Sequence, residues 1–284
     1  MTTDTRRSVL ITGCSSGIGY ACAHGLAKRG FRVIATARKP EDLERLAAEG
    51  LDTVALDLDD ADSVAAAVEQ TLTLTGGRLY GLFNNGAYGL PGAVEDLSRE
   101  ALRAQLETNL LGWHDLTCRV IPVMRAQGEG RIVQNSSVLG LVTLPYRGAY
   151  VASKFALEGL TDTLRLELAN TGIQVSLIEP GPILSRFRTN AHAAFRRYID
   201  TENSFHREQY AAAERRLAKE GAAQPFTLPP EAVLDKLVHA LESRRAKPRY
   251  YVTVPTHLLG TLRRFLSTRT LDRLLIRASG DGAR

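Results

Sequence analysis

The sequence predicts an α/β fold, a single domain built on a doubly wound parallel sheet with helices on both faces. Short apolar and β-branched runs alternate along the chain with longer segments of helical pattern. Continuous apolar runs are typical of strands that are buried on both faces, as parallel strands are. A glycine-rich loop joins the first of these runs to the first helical segment, which is how many folds of this class begin.

The predicted elements follow one another along the chain as strand, helix, strand. Strands are expected at 8–12, 31–36, 53–56, 79–83, 131–135, 173–178 and 250–254. Helices are expected at about 17–29, 61–74, 99–126, 149–170 and 231–242. Prolines at both ends of 181–230 set apart an irregular to helical segment, which we expect to fold over a ligand as a lid. Residues 1–255 thus form the predicted domain, and 256–284 form an amphipathic, basic, helical extension.

Composition narrows the class of protein. Of the 284 residues, 44% are apolar and 24% are charged, as in a globular protein with a buried core. A run of about 20 apolar residues and the features of a signal peptide are both missing, so we expect a cytoplasmic protein. The three cysteines are odd in number and lack paired spacing, which fits a reducing compartment and predicts no metal site.

The net charge of +5 is unevenly distributed. Residues 244–284 hold ten basic and two acidic residues, a net charge of +8, which leaves −3 for the rest of the chain. A slightly acidic body argues against nucleic acid as a partner. The basic extension also carries leucines at helical spacing. It either lies on an anionic membrane surface or docks on the protein itself or on a second subunit, and we favour docking.

The segment Thr12–Gly19 has the pattern of a phosphate-binding loop. Its glycines permit a tight turn and a close approach of the backbone to a pyrophosphate, and the helix that follows offers free N–H groups to the anion. The strand before it and the helix after it are the context that the motif requires. The residues expected to bind a nucleotide are Gly13, Ser15, Ser16, Gly17, Ile18 and Gly19.

The end of the second predicted strand indicates which nucleotide is bound. An acidic residue is expected there when a ribose 2′-hydroxyl is recognised. This chain has Arg38 and Lys39 instead, and two cations suit a 2′-phosphate. The sequence therefore favours NADP(H), the alternative being that both cations are only solvated loop charges.

Tyr150 and Lys154 form the most informative pair in the chain. Their spacing of four places both side chains on one helix face, one turn apart. A nearby ammonium favours the phenolate, so we expect Lys154 to lower the pKa of Tyr150 and to make it a proton donor. On spacing alone, an exposed helix face is the more frequent explanation for such a pair, and the motifs upstream give the pair its weight.

With these motifs, the chain resembles the short-chain dehydrogenase/reductase family from about residue 8 to 255, which implies a Rossmann-like sheet. Ser137 lies 13 residues before Tyr150, as in that family. The resemblance implies that Ser137 orients the substrate oxygen, that Lys154 also holds the nicotinamide ribose, and that Asn109 anchors a water in the proton path. It also implies further cofactor contacts at Asp57, Leu58, Asn84, Asn85, Gly86, Pro180, Gly181 and Ile183. For Asp57, a helix N-cap is the alternative.

The order Gly86-Ala87 departs from the Ala-Gly order usual in the family. If the family glycine needs a positive φ or a close backbone approach, Ala87 would strain the turn. We expect a modest change in cofactor affinity from this exchange.

The closer resemblance is to bacterial NADP-dependent aldehyde and carbonyl reductases, which are related to hydroxysteroid and retinol dehydrogenases. It implies NADPH-dependent reduction of an aldehyde or ketone, with Tyr150 as the proton donor. One alternative is a hydroxysteroid or retinol dehydrogenase that works in the oxidative direction. Another, from a different class, is a non-catalytic protein that senses NADP.

Aromatic and apolar residues in the lid and before Tyr150 predict a lipophilic carbonyl or alcohol as substrate. Ordinary packing of the lid is the alternative explanation for these side chains. The residues expected to contact the substrate are Ser137, Leu139, Tyr146, Tyr150 and Phe187. The resemblance further implies a homodimer or homotetramer, for which Trp113 is a candidate interface residue.

Overall fold

In the computed structural model, which describes residues 6–218 and 225–279, one sheet of parallel strands runs through the molecule. Its order is β3-β2-β1-β4-β5-β6-β7, and every neighbouring pair is parallel. The strands are β1 (Ser8–Ile11), β2 (Arg32–Ala37), β3 (Asp52–Ala55), β4 (Gly81–Asn84), β5 (Gly130–Asn135), β6 (Ile173–Glu179) and β7 (Arg249–Tyr251). The predicted fold class is therefore confirmed.

Helices cover both faces of this sheet because alternate residues of each strand point to opposite sides. Val9 and Ile11 of β1 pack in one core cluster, and Leu10 packs in the other. The helices are α1 (Gly17–Lys28), α2 (Pro40–Ala48), α3 (Ala61–Leu74), α4 (Arg99–Leu106), α5 (Gly112–Gln127), α6 (Gly148–Glu167), α7 (Phe187–Tyr198), α8 (Arg207–Leu217), α9 (Glu231–Glu242), α10 (Val254–Phe265) and α11 (Thr268–Ser279). The first cluster contains residues of α1, α2 and α9, and the second contains residues of α3, α5 and α6.

Three elements differ from the sequence prediction, the first two being α2 and β7. Helix α2 was not predicted, although Pro40 at its start and the acidic residues of its first turn are helix-start signals. Leu43, Leu46 and Ala47 also fall at helical spacing, so the sequence did carry a signal for this helix. Strand β7 was predicted to reach Val254 but ends at Tyr251, because Thr253 is the N-cap of α10 and a proline stands in the first turn of that helix.

The long helix predicted at 99–126 is interrupted by a π-helical segment, Glu107–Leu111, which separates α4 from α5. Gly112 lies directly after this segment, and a Cβ atom there would lie 2.1 Å from the carbonyl oxygen of Leu58. The helix is thus pressed against the loop that follows β3. Segments of π-helix are frequent at functional sites, and this one contains Asn109.

The order of the strands reverses between β1 and β4. From β1 the chain adds β2 and β3 on one side, and from β4 it adds β5, β6 and β7 on the other. Loops that leave the carboxyl ends of strands diverge at such a point and open a crevice, where ligands of open α/β sheets bind. The loops after β1, β4 and β5 therefore meet at one edge. This edge positions the candidate site.

The lid predicted at 181–230 contains α7 and α8. Both helices pack on the segment after β4 through a third cluster that includes Leu90, Ala191, Phe195 and Tyr210. For these lid residues, ordinary packing is the observed role. None of the described helices is long and apolar enough to cross a membrane.

Candidate active site

The loop after β1 forms a cradle at the N-terminus of α1. Gly13 and Gly17 have positive φ angles of 71° and 58°, which side chains other than glycine rarely adopt. A Cβ atom on Gly19 would lie 2.2 Å from the carbonyl oxygen of Gly13. Ser16 is the N-cap of α1 but makes no side-chain capping bond, so the N–H groups of the first turn stay available. The cradle fits a pyrophosphate.

The loop after β4 holds this cradle in place. The Thr12 hydroxyl accepts hydrogen bonds from the backbone N–H groups of Asn85 and Gly86, both at 2.8 Å. The Asn85 amide donates to the carbonyl oxygen of Thr12 at 3.0 Å. Asn135, at the end of β5, donates to the Asn85 side chain at 2.9 Å. Asn85 therefore connects the three loops that meet at the carboxyl edge.

The order Gly86-Ala87 produces no strain. Neither residue has a positive φ angle, so the expected strain at Ala87 is absent. Gly86 is the residue that makes the close approach: a Cβ atom there would lie 3.2 Å from the backbone nitrogen of Gly13. Position 86 therefore leaves little room for a side chain, and this chain has a glycine there.

Trp113 holds the loop after β4 in place through Gly86. Its indole Nε1 donates to the carbonyl oxygen of Gly86 at 2.8 Å, and its side chain is fully buried. The prediction that Trp113 contributes to a dimer interface is therefore wrong, because it has no surface with which to contact a second subunit.

Asn84 and Asn85 point in opposite directions. The Asn84 amide donates to Thr117 of α5 at 3.0 Å, and Asn84 is fully buried. Its side chain thus braces α5 against the sheet, while Asn85 faces the cradle. Alternation along a strand explains the difference.

Asp57 and Leu58 follow β3 at the same edge. The Asp57 carboxylate accepts the backbone N–H of Asp59 at 3.2 Å. The N-cap of α3 is Asp60, whose side chain accepts the N–H of Asp62. The alternative role of Asp57 as a helix cap is therefore wrong. Leu58 is buried against Gly86 and Gly112.

Arg38 follows directly on β2 and its side chain is exposed. It stands near the cradle, because the backbone N–H of Cys14 donates to the carbonyl oxygen of Thr36 at 2.8 Å. A second arginine was missed by the sequence analysis. Arg45 of α2 donates to the carbonyl oxygen of Ser15 at 2.8 Å. Recognising α2 as a helix would have directed attention to it.

The segment after β6 closes the cradle from the other side. The carbonyl oxygen of Pro180 accepts the N–H of Val138 at 2.7 Å. A Cβ atom on Gly181 would lie 2.1 Å from the Thr253 hydroxyl, and one on Gly17 would lie 2.9 Å from Ser185 Cβ. Ile183 pairs with Leu228 in a short parallel bridge. The structure thus brings 180–185 opposite the phosphate loop.

Ser137, Tyr150 and Lys154 lie together at the carboxyl end of β5. Ser137 hydrogen-bonds the Tyr150 phenol, and its hydroxyl accepts the N–H of Leu139 at 3.1 Å. Lys154 Nζ donates to the carbonyl oxygen of Asn135 at 2.8 Å and lies 5.7 Å from the centroid of the Tyr150 ring. Tyr150 and Lys154 are both buried.

Burial dominates the proton affinities of this group. It raises the pKa of Tyr150 to about 12, and the hydrogen bond from Ser137 offsets part of this rise. Burial lowers the pKa of Lys154 to about 7, and the negative charge of Glu158 acts in the opposite direction. The predicted lowering of the Tyr150 pKa by Lys154 is not found in this structure: the net shift is upward, with burial as its main cause.

Asn109 lies in the π-helical segment and is fully buried. Its amide donates to the carbonyl oxygen of Tyr88 at 2.8 Å and to the Ser153 hydroxyl at 3.2 Å. Ser153 in turn donates to the carbonyl oxygen of Tyr150 at 2.7 Å. The side chain of Asn109 thus ties the loop after β4 to α6, which carries Tyr150 and Lys154.

Phe187 contacts the ring of Tyr150, and Tyr146 lies in the loop before α6. The Phe187 ring meets the Tyr150 ring edge-on, with centroids 5.3 Å apart, and 39% of Phe187 is exposed. Tyr146 has a φ angle of 58°, a left-handed conformation that is strained for a tyrosine. Leu139 lies in the short helical turn that follows Ser137. Of the predicted substrate residues, the structure thus brings Ser137 and Phe187 to Tyr150, whereas Tyr146 packs against His206 and Tyr210 of the lid, with ring centroids 5.4 and 6.2 Å apart.

Comparison with known proteins agrees with this geometry. The family described as short chain dehydrogenase matches residues 7–194. An uncharacterised oxidoreductase of Escherichia coli (strain K12), YbbO, is 44% identical over 270 residues, which are 95% of this chain and 94% of that protein. Human 17-beta-hydroxysteroid dehydrogenase type 1 is 37% identical over 87% of this chain and 78% of its own length.

Solved structures give the same result. A short chain dehydrogenase/reductase from Burkholderia phymatum in complex with NAD has a TM-score of 0.77 at 27% identity, covering 93% of this chain and 94% of that one. An actinorhodin polyketide ketoreductase with NADPH has a TM-score of 0.74 at 28% identity, covering 92% and 99%. The chain belongs to the short-chain dehydrogenase family. It is an oxidoreductase of that family.

Proposed function

We propose that the protein reduces lipophilic aldehydes or ketones with NADPH and catalyses the reverse oxidation of the alcohols. The observation that carries this proposal is the assembly of Ser137, Tyr150 and Lys154 beside a cradle that fits a pyrophosphate. A nicotinamide cofactor, when bound, supplies or accepts the hydride. The protein supplies the proton and the geometry.

The raised pKa of Tyr150 keeps the proton on the phenol at neutral pH, although it makes the phenol a weaker acid. With a pKa of about 12, the phenol stays protonated at neutral pH and can give its proton to the developing alkoxide of a reduced carbonyl. The hydroxyl groups of Ser137 and Tyr150 are adjacent, so a substrate oxygen that takes the place of their mutual hydrogen bond is oriented by both. Lys154 provides positive charge in the same buried space.

Arg38 supports NADPH over NADH. Its exposed guanidinium follows β2, at the position where an acidic residue would otherwise accept a ribose hydroxyl. A guanidinium binds a phosphate through two hydrogen bonds, whereas an acidic residue would repel the phosphate. The solved relatives hold NAD in one case and NADPH in the other, so the preference rests on this residue.

The surroundings of Tyr150 favour an apolar substrate. Phe187 contacts the phenol edge-on, and the exposed Leu184 stands three residues before it at the entrance of the lid. Apolar lining with a few fixed polar groups is typical of sites for lipophilic ligands. The 37% identity to human 17-beta-hydroxysteroid dehydrogenase type 1 favours a second candidate, the oxidation of a steroid-like or retinoid alcohol.

A substrate panel tests the proposal. Aldehydes, ketones, retinoids and steroids are supplied with NADPH or NADH, and the corresponding alcohols with NADP+ or NAD+, while the absorbance of the reduced cofactor is followed. We expect the highest kcat/KM for an apolar carbonyl with NADPH. Faster oxidation of steroid or retinoid alcohols would establish the second candidate. NADP binding without any turnover would support a sensor in place of an enzyme.

Replacement of the proton donor tests the mechanism. Tyr150→Phe is expected to lower kcat by about 10²–10⁴-fold, the usual contribution of positioned proton transfer, while the Kd for NADPH changes little. Tyr251→Phe is a matched control, because Tyr251 lies at the carboxyl end of β7 on the same edge of the sheet. Turnover by Tyr150→Phe at the rate of the control would refute the assignment.

A further inference from the structure

A buried ionic cluster lies directly behind Lys154. Arg249 of β7 donates through Nη1 to Glu158 of α6 and to Glu179 of β6, the latter at 2.8 Å, and through Nη2 to Asp162 at 2.6 Å. Only 9% of the Glu158 side chain and none of the Glu179 side chain is exposed. The cluster thus joins the catalytic helix to the two strands at one end of the sheet.

The carboxylates of this cluster exceed the cations that satisfy them. Glu158 and Glu179 share one nitrogen of a single guanidinium, and their other partners are neutral, the Ser136 hydroxyl for Glu158 and the backbone N–H of Tyr250 for Glu179. A Cβ atom on Gly140 would lie 2.6 Å from Ser136 Oγ and 2.9 Å from Glu158 Oε1. This oxygen of Glu158 therefore points towards Ser136 and the loop that carries Ser137, and glycine at 140 leaves room for it.

The surroundings of Lys154 contain few groups that stabilise its charge. The neutral groups are the phenol of Tyr150, the carbonyl oxygen of Asn135 and the indole of Trp113, whose ring centroid lies 4.3 Å from Nζ. The charged group that acts on Lys154 is Glu158, one helical turn further along α6. Arg249, Glu179 and Asp162 lie beyond Glu158.

We propose that Glu158 is a positioning residue for the reaction, in that its carboxylate, fixed by Arg249, is the counter-charge that keeps Lys154 an ammonium ion. Glu179 sets how much charge Glu158 carries. Two carboxylates that share one guanidinium repel each other, and they hold a proton between them at neutral pH. This agrees with the pKa of Glu179, which burial raises to about 8, with the charge of Glu158 as the next cause.

This inference builds on the proposed function. The direction in which the pH profile of kcat/KM should shift follows from the need for a charged Lys154. Carbonyl reduction requires the protonated lysine, so kcat/KM falls as pH rises through the pKa of Lys154. Glu158 raises that pKa. Glu158→Gln should therefore move the falling limb of the profile by about one pH unit towards acid.

Direct titration of Lys154 separates the inference from the proposed function. In the full-length chain labelled with ¹⁵N-lysine, the Lys154 resonance is identified by its loss in Lys154→Met and is followed by NMR against pH. We expect the midpoint to fall by about one unit in Glu158→Gln. It should stay in place in Asp162→Asn, which removes another carboxylate from Arg249 on the same helix.

A second variant is expected to act in the opposite direction. Glu179→Gln leaves Glu158 as the sole ionisable partner at Nη1 of Arg249, so Glu158 is fully charged and the Lys154 midpoint should rise. This variant decides the matter if Glu158→Gln does not fold. An unchanged midpoint in folded Glu158→Gln, or a lower one in Glu179→Gln, overturns the inference. Absence of turnover in the wild-type chain overturns the proposed function and leaves the titration valid.

Discussion

Burial decides the chemistry of the candidate site at the scale of single residues. Tyr150 and Lys154 are both removed from water, and each is shifted towards its neutral form, with pKa values of about 12 and about 7. Spacing alone predicts that the two side chains share a helix face, but it does not reveal their environment. The proton donor and its neighbouring cation therefore depend on Ser137 and Glu158 for their state.

Arg38 offers a test at the same scale. Arg38→Ala is expected to raise the KM for NADPH by about tenfold, equal to 1.4 kcal/mol of lost phosphate binding, while the KM for NADH changes little. Lys39→Ala is the matched control, because Lys39 is equally exposed but pairs with Glu41 at 3.6 Å. Steady-state kinetics with both cofactors measure the effect. An equal rise for NADH and NADPH would mean that Arg38 does not contact a 2′-phosphate.

The residues of the candidate site could largely be predicted from the sequence. The residues that hold them in position could not. The phosphate loop and the serine, tyrosine and lysine have characteristic neighbours in the sequence, so short patterns suffice to find them. Arg45, Trp113 and Glu158 act through contacts with residues that lie 30, 27 and 91 positions away. Contacts over such distances exist only after the sheet has formed, and a single sequence does not show them.

Close contact between two loops is the main feature of the site at the scale of elements. The loops after β1 and β4 touch at Gly13 and Gly86, and the buried Trp113 holds the second loop in place. The strands that precede these loops were predicted from their apolar runs. The π-helical segment at Glu107–Leu111 was not, because its sequence continues the helical pattern on both sides.

Gly86→Ala tests this contact. The added Cβ would lie 3.2 and 3.3 Å from backbone atoms of Gly13, which are closer than normal and belong to a loop with little freedom to move. Overpacking of this kind costs about 1–3 kcal/mol, so we expect a lower Tm and a several-fold higher KM for NADPH. Thermal melting with and without NADPH measures both effects.

Ala87→Gly is the control for this loop. The φ angle of Ala87 is not positive, so a glycine there relieves no strain and costs about 0.4–1 kcal/mol through backbone freedom. The KM for NADPH should stay as in the wild type. If Ala87→Gly and Gly86→Ala raised the KM equally, the contact between the loops would not explain the effect.

At the scale of the whole molecule, the C-terminal extension is part of the active-site architecture. Arg263 of α10 donates to the carbonyl oxygen of Leu141, just after the serine loop, and lies over the ring of Phe155 with its guanidinium carbon 4.9 Å from the centroid. Thr253 and Thr256 pack around Gly181. This supports the predicted docking of the extension on the protein itself. Binding to an anionic membrane surface stays a separate prediction, which flotation with lipid vesicles tests.

Arg263→Ala tests whether the extension supports catalysis. Loss of its bond to Leu141 should loosen the loop that positions Ser137, so we expect kcat to fall several-fold while the KM for NADPH is unchanged. Arg264→Ala is the matched control, since Arg264 is the next residue of α10 and is exposed. Equal kcat values for the two variants would show that α10 only covers the surface.

Through Phe187, the lid contributes a side chain to the surroundings of Tyr150. It is the first residue of α7 and the one that contacts the ring of Tyr150. Ser137, Tyr150 and Lys154 stand at the sheet edge and on α6, whereas this ring belongs to the segment between β6 and α9. Exchange of α7 would therefore remodel the surface beside Tyr150 while Ser137, Tyr150 and Lys154 stay on elements of their own.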